Sequence, residues 1–189
     1  MCDIWDLNMH RPSAIEANMS NSPAQVRTAT PQDLDSVADL HTRARTDYYR
    51  GFVDEAELTD PARATARHNY WARILRSADH TVFIAHKAGN PVGFAMIGAC
   101  AHPDPDPRVT SEMHLYVDPG SFRQGIGTDL HRVCVQAWQA ASVTTARLWV
   151  QGFNQRAQNF YRSQGWAPDG HHRPDSTGLL GYILEIPAA

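Results

Sequence analysis

The spacing of apolar and polar positions changes twice along this chain, and the changes mark out its elements. The first 24 residues are polar, mixed and aperiodic, which predicts a mobile tail with Met19 as a second candidate start; residues 25–189 then read as one domain. The stretch QVRTA (25–29) alternates as a short strand does. Thr30-Pro31-Gln32-Asp33 follows it, a Thr cap with Pro at the first helical position and an acid three residues after the cap. The predicted helix places Leu34, Val37, His41 and Ala44 on one face. Asp60-Pro61 repeats the cap-and-proline signal ahead of Ala64, His68, Trp71 and Leu75 at helical spacing.

The period then drops to two. TVFIAHK (81–87), the turn AGNP (88–91) and VGFAMIGAC (92–100) predict a hairpin. AHPDPDPRVTS (101–111) predicts a loop, because its prolines cannot continue a sheet. EMHLYV (112–117) predicts a strand with Met113, Leu115 and Val117 on one face. Two glycines follow in SFRQGIGTDL (121–130), and then a helix of about fifteen residues with Ile126, Leu130, Val133, Ala137 and Trp138 inward. ARLWV (146–150) predicts a strand, 155–164 a helix, and 166–172 with 179–186 a closing strand pair. Two helices, a meander and a β-α-β-α-β run define an α/β fold with a mixed sheet.

Composition narrows the function classes. The chain has 189 residues, 42% of them apolar and 20% charged, with a formal net charge of −3. It carries no long Lys/Arg run, which argues against nucleic acid as the main partner. No apolar run approaches the ~20 residues that span a bilayer, and the opening residues lack the basic start and apolar core of a secretory signal. The three cysteines, Cys2, Cys100 and Cys134, show no CxxC spacing. They read as reduced thiols in a cytoplasm and not as disulfides or a zinc site. Ten histidines are present, but the adjacent pair His171–His172 would point opposite ways in extended backbone, so no metal site is expected.

The glycines of FRQGIGTDL are the first candidate chemistry. Gly125 and Gly127 allow a helix to start close to a strand, which by itself is a packing role. A dinucleotide fingerprint needs a third glycine where Leu130 stands, and RLWVQG supplies no ribose-binding acid at the end of the next strand. A nucleoside-triphosphate loop needs a Gly-Lys-Ser/Thr run, and the lysine is absent. A pyrophosphate site survives both exclusions, because helix-start N–H groups have no helical partner and carry partial positive charge. Thr128 adds a hydroxyl and Arg123 a cation. The second constellation, NQRAQNFYRSQGW (154–166), reads structurally as an Asn154 cap, an inward face of Ala157, Phe160 and Tyr161, and a Gly165 stop with Trp166 packed beneath.

These two stretches resemble the Gcn5-related N-acetyltransferase (GNAT) superfamily, and the likeness covers roughly residues 25–186. EMHLYVDPGSFRQGIGTDL is similar to the family's fourth strand and pyrophosphate loop, with the signature Gln/Arg-x-x-Gly-x-Gly/Ala. NQRAQNFYRSQGW is similar to its second cofactor motif. DYYRGF (47–52) resembles the link between the first two helices in a broad bacterial subgroup. Phe122 departs from the signature, standing where Gln or Arg is usual, with Arg123 beside it as a partial substitute. The resemblance implies a mixed sheet of about six to seven strands flanked by about four helices and split between the fourth and fifth strands.

It also implies acetyl-CoA as co-substrate. Carried over by position, the backbone at Leu115, Tyr116 and Val117 would bond the pantetheine arm. The N–H groups of Gln124, Gly125, Ile126, Gly127 and Thr128 would hold the pyrophosphate, Asn154 would face the arm, and Tyr161 would protonate the leaving thiolate. An alkylammonium, with a pKa of about 10.4, must lose a proton before it attacks. Glu112 is the first candidate base and His114 the second, both on the strand bordering the split; solvated strand residues are the alternative for both. Tyr48 and Tyr49 are candidate walls of the acceptor pocket or core. His171, His172 and Arg173 are candidates for the opposite wall, and the acidic PDPDP loop (103–107) for attracting a cationic acceptor. The expected acceptor is a small-molecule amine, with a protein N-terminus or lysine, or a non-catalytic acyl-CoA-binding module, as alternatives. Homodimers are common in the family, though no residue here points to one.

Overall fold

The computed structural model describes residues 23–100, 110–173 and 178–188, so the predicted tail, except its last two positions, lies outside the described residues. In chain order the elements are β1 (Gln25–Thr28), a 3-10 turn (Pro31–Asp33) leading into α1 (Leu34–Tyr49), α2 (Glu55–Thr59), α3 (Pro61–Ile74), β2 (His80–Lys87) and β3 (Asn90–Ala99). They continue with β4 (Thr110–Val117), α4 (Ile126–Ala140), β5 (Thr145–Gln151), α5 (Gln155–Ser163), β6 (Ala167–Arg173) and β7 (Leu179–Glu185). The strands form one seven-stranded sheet in the order β1-β2-β3-β4-β5-β7-β6. Every neighbouring pair is antiparallel except β4 with β5. The expected α/β architecture is therefore present; a fifth helix, α2, forms in the link between the first two predicted ones.

Local signals set the helix ends. Thr30 N–H donates to Asp33 Oδ2 at 2.8 Å, and Arg27 forks onto the same carboxylate at 2.8 and 2.6 Å. The Arg27 bonds hold the Asp33 carboxyl far below the usual carboxylate range. Asp60 Oδ1 accepts from Ala62 N–H at 2.8 Å and starts α3 with Pro61 behind it. Gly165, at φ +89°, ends α5.

Two boundaries differ from the sequence pattern. The β2–β3 turn shrinks to Ala88 and Gly89, whose φ values of +49° and +80° fit the tight turn whose twist matches the flanking strands. Thr110 and Ser111, expected in the loop, already belong to β4, because β5 pairs with them from Thr145 and Ala146. The remainder of that loop, 101–109 with the acidic PDPDP run, lies outside the described residues.

Both faces of the sheet are covered. On one, Ile126, Leu130, Cys134 and Trp138 of α4 pack with Met113, Leu148, Tyr161 and Trp166. On the other, Val37 and Leu40 of α1 and Trp71 and Ile74 of α3 pack against Ile84, Phe94 and Met96. The buried stripe of α4 runs through His131 and Cys134, while the expected Val133 and Ala137 are only partly buried. His131 escapes an apolar-period search, yet it sits in the core because its Nε2 accepts the indole N–H of Trp166 at 2.9 Å. Burial holds its pKa down to about 4, so the ring is neutral.

Candidate active site

The β4–β5 pairing stops early. Among the described residues, only Thr110, Ser111 and Glu112 pair with Thr145, Ala146 and Arg147. Beyond them β4 stays with β3 as far as Val117, and β5 stays with β7 as far as Gln151, so the two strands part. The split opens into a cleft of about 510 Å³. Asp118 N–H donates to Val92 C=O at 2.9 Å, and the register with β3 is unbroken from Ser111 to Val117. Backbone groups alternate sides along an antiparallel strand. Tyr116 therefore addresses β3 with its backbone, its ring lying against His41 and Phe94, while Leu115 and Val117 turn their N–H and C=O groups into the split.

α4 points its N-terminus at the same cleft. Gly125 is its N-cap at φ +82°, and no side chain caps the helix. The N–H groups of Ile126, Gly127 and Thr128 thus lack helical acceptors. A Cβ at Gly125 would meet nothing within 4 Å, so this face is open. Gly127 has a different role: a Cβ there would lie 3.3 Å from the Phe160 ring, so its bareness seats α4 against α5. Arg123 holds φ +59°, the left-handed region uncommon for a side-chain-bearing residue.

Cations surround this turn. Arg156, in the first turn of α5, stacks its guanidinium 3.8 Å from the centroid of Phe122 and pairs with Asp47 at 3.0 Å. Lys87 Nζ donates to Gln124 Oε1 at 2.8 Å. The residue that departs from the signature, Phe122, is thus the platform for an arginine from another element. Neither Arg156 nor Lys87 was singled out in the sequence; the usable signal for Arg156 was its place two residues after the Asn154 cap.

Deeper in the cleft, Tyr161 is buried beside Trp166, with ring centroids 5.9 Å apart, and burial, then the nearby Cys134, raises its hydroxyl pKa. Asn154 spends its Oδ1 on the N–H of Ala157 at 3.1 Å, leaving its amide nitrogen for the cleft it lines. Glu112 and His114 lie on one face of β4, and His114 Nε2 sits 3.1 Å from Glu112 Oε1. Glu112 is buried and His114 half-buried. Tyr48 and Tyr49 line the cleft with their rings 4.4 Å apart, and Tyr49 Oη accepts from Gln151 Nε2 at 2.6 Å. Arg173 lines the cleft near Trp149. His171 instead turns to Asp169, and His172 is exposed. No three His, Cys, Asp or Glu side chains gather as a metal site would require among the described residues. No helix among them is long and apolar enough to cross a membrane.

A sheet that opens beside an uncapped helix N-terminus has the backbone donors to admit an extended, phosphate-bearing ligand. Residues 37–166 match the model of the acetyltransferase (GNAT) family, and the chain belongs to that family. An uncharacterized N-acetyltransferase of Archaeoglobus fulgidus is 29% identical over 155 residues, 82% of this chain and 97% of its own length. A second, from Methanocaldococcus jannaschii, is 26% identical over 147 residues, 75% of this chain; the match spans 59% of that longer protein. Among solved structures, the fold is shared with PaiA N-acetyltransferase of Thermoplasma acidophilum in complex with coenzyme A, at TM-score 0.71 and 17% identity, covering 87% of this chain and 99% of that one. It is also shared with a Salmonella typhimurium protein solved with acetyl-CoA, at TM-score 0.66 and 16% identity, covering 89% and 96%. By family the chain is an acetyltransferase.

Proposed function

We propose that this acetyltransferase moves an acetyl group from acetyl-CoA directly to a primary amine of a small molecule, within the split between β4 and β5. One observation carries the reading: two sets of backbone groups, those of Leu115 and Val117 and those at the start of α4, open into the same cleft. The strand edge suits an amide-bearing pantetheine arm, with Asn154 beside it. The N–H groups from Gln124 through Thr128 and the helix dipole suit a diphosphate, with Arg123, Arg156 and Lys87 near enough to add charge. Acetyl-CoA supplies the activated thioester.

Glu112 and His114 act as one unit. With Glu112 ionised, the hydrogen between them sits on His114 Nε2, which leaves Nδ1 with a lone pair. His114 takes a proton from the ammonium, and Glu112 steadies the resulting imidazolium. The freed amine nitrogen bonds to the acetyl carbon as the carbonyl π pair moves onto oxygen. The N–H of Leu115 or Val117 receives that oxyanion. The pair then returns, the carbon–sulfur bond breaks, and Tyr161 gives its hydroxyl proton to the departing thiolate. The product nitrogen sheds its second proton to solvent, from which Tyr161 is reprotonated, and the His114 imidazolium releases its proton to solvent to restore the base. Tyr48 and Tyr49 on one side, with Trp149 and Arg173 on the other, line the acceptor end.

The test has two stages. Acetyl-CoA at millimolar concentration raises the melting temperature by mass action, and NADH does not; no shift with acetyl-CoA removes the cofactor assignment. Free-thiol release is then followed over a panel of small amines against a no-amine control. Binding without turnover on any amine removes the small-molecule reading and favours peptides or a non-catalytic module.

A further inference from the structure

The second half of α1 touches the cofactor end of the cleft twice. Arg43 and Asp47 stand four residues apart, on one stripe of the helix. Arg43 donates Nε–H to Asp118 Oδ1 at 2.7 Å, at the point where β4 ends and the loop to α4 begins. The other oxygen of Asp118 accepts the Gly120 N–H at 3.2 Å, inside the turn that leads to Phe122. One helical turn after Arg43, Asp47 Oδ2 accepts from a terminal nitrogen of Arg156 at 3.0 Å, across 109 positions. Tyr48 and Tyr49, which follow Asp47 directly, line the acceptor end.

Arg156 is thus fixed on two sides, by the Phe122 ring at 3.8 Å from its guanidinium carbon and by Asp47 at one nitrogen. Phe122 and Arg156 both line the cleft, together with Gly125, Gly127 and Thr128 at the uncapped start of α4. A guanidinium carries five N–H donors in a planar fork. The bond to Asp47 occupies one of them, and the others make no hydrogen bond among the described residues. The pair does little for the fold, because its side chains are 53% and 34% exposed and ion pairs so wet contribute little. What it fixes is direction. Without Asp47, a half-exposed arginine is free to swing off Phe122 into water.

We propose, given a diphosphate at the start of α4, that Asp47 is a positioning residue for the cofactor: it holds Arg156 on Phe122 with its free donors toward the diphosphate. The helix that walls the acceptor end thereby orients a cation of the cofactor end, at the place where Phe122 itself offers no polar contact. Coupling between the two ends follows. A diphosphate that grips Arg156 grips Asp47 through it, so cofactor binding stiffens the end of α1 that carries Tyr48 and Tyr49. By linkage, an acceptor that orders this wall tightens cofactor binding in turn.

Coenzyme A binding is measured by isothermal titration for wild type, D47A, D47E, R156A and the D47A/R156A double variant. D47A should weaken binding about threefold to tenfold, with its Tm before coenzyme A is added within about 2 °C of wild type. The sign is diagnostic, because removing a negative charge near a diphosphate would by Coulomb attraction alone tighten binding. D47E keeps the carboxylate and should recover most of the affinity. The double variant should bind no more weakly than R156A, since Asp47 acts through Arg156. Hydrogen exchange adds a second reading: coenzyme A should slow amide exchange over residues 47–53 in wild type and not in D47A. Undiminished binding by D47A, a Tm loss that accompanies its weaker binding, a D47E protein as weak as D47A, additive losses in the double variant, or exchange over 47–53 that responds alike in wild type and D47A overturns the role of Asp47 and leaves the cofactor site standing. No binding of coenzyme A to the wild type overturns that site and the role of Asp47 with it.

Discussion

Mild acid should weaken the fold through one histidine. His131 is buried under α5, and its Nε2 accepts the Trp166 indole N–H, so folding demands the neutral ring. Its pKa is lowered by burial from 6.5 to about 4. Between those values the unfolded chain binds the proton that the folded chain refuses. The stabilisation is complete above about pH 6.5 and drains away as the pH falls toward 4. At pH 5 the free ring is almost wholly protonated and the folded ring about one-tenth so, which gives a loss of about 2 kcal/mol relative to neutral pH. For a chain of this length that is a fall in Tm of about 4–8 °C. His41, held to about 3 chiefly by burial, adds its own loss over the same range, so a control is required. His131→Gln keeps an acceptor for Trp166 and cannot titrate. Urea unfolding of both proteins at steps from pH 7.5 to 5, followed by tryptophan fluorescence, isolates the difference in slope. Parallel pH dependences in wild type and His131→Gln would refute the assignment of a proton-refusing core to His131.

Three further outcomes concern catalysis and cofactor binding. Tyr161→Phe should keep acetyl-CoA affinity and lower kcat by about 10²-fold or more, as expected for a lost general acid; unchanged turnover removes that role. Glu112→Gln and His114→Ala should each slow thiol release, and the double variant should be little slower than the worse single, because the two share one hydrogen bond; additive losses would separate them. Arg156→Ala should weaken coenzyme A binding by about tenfold and flatten its salt dependence, since a charged donor is removed beside Phe122. Isothermal titration at two salt concentrations reads both, and an unchanged affinity would leave Arg156 as a structural pair of Asp47.

The elements, their order and the glycine turn were legible in the chain because their causes are local. Alternation in EMHLYV and the cap of Thr30 with Pro31 depend on near neighbours alone, and so do the uncapped Gly125 and the stop at Gly165. The motif spacing in the same way pointed to the stretch around Asn154 and Tyr161. What was not legible came from contacts distant in sequence. Gln151 meets Tyr49 across 102 positions, Arg156 meets Asp47 across 109, and Arg67 meets Thr42 across 25. No period or cap encodes those meetings, because they exist only once β5 has left β4 for β7 and α1 has settled on the far face of the sheet. His131 shows the same division from the inside. By residue type it belongs on a surface, and only the packing of Trp166 beneath α4 turns it into a core acceptor. Chain-local physics determined the strands, helices and glycine turn. Tertiary packing decided which residues share the cleft, because proximity and burial are properties of neighbours in space.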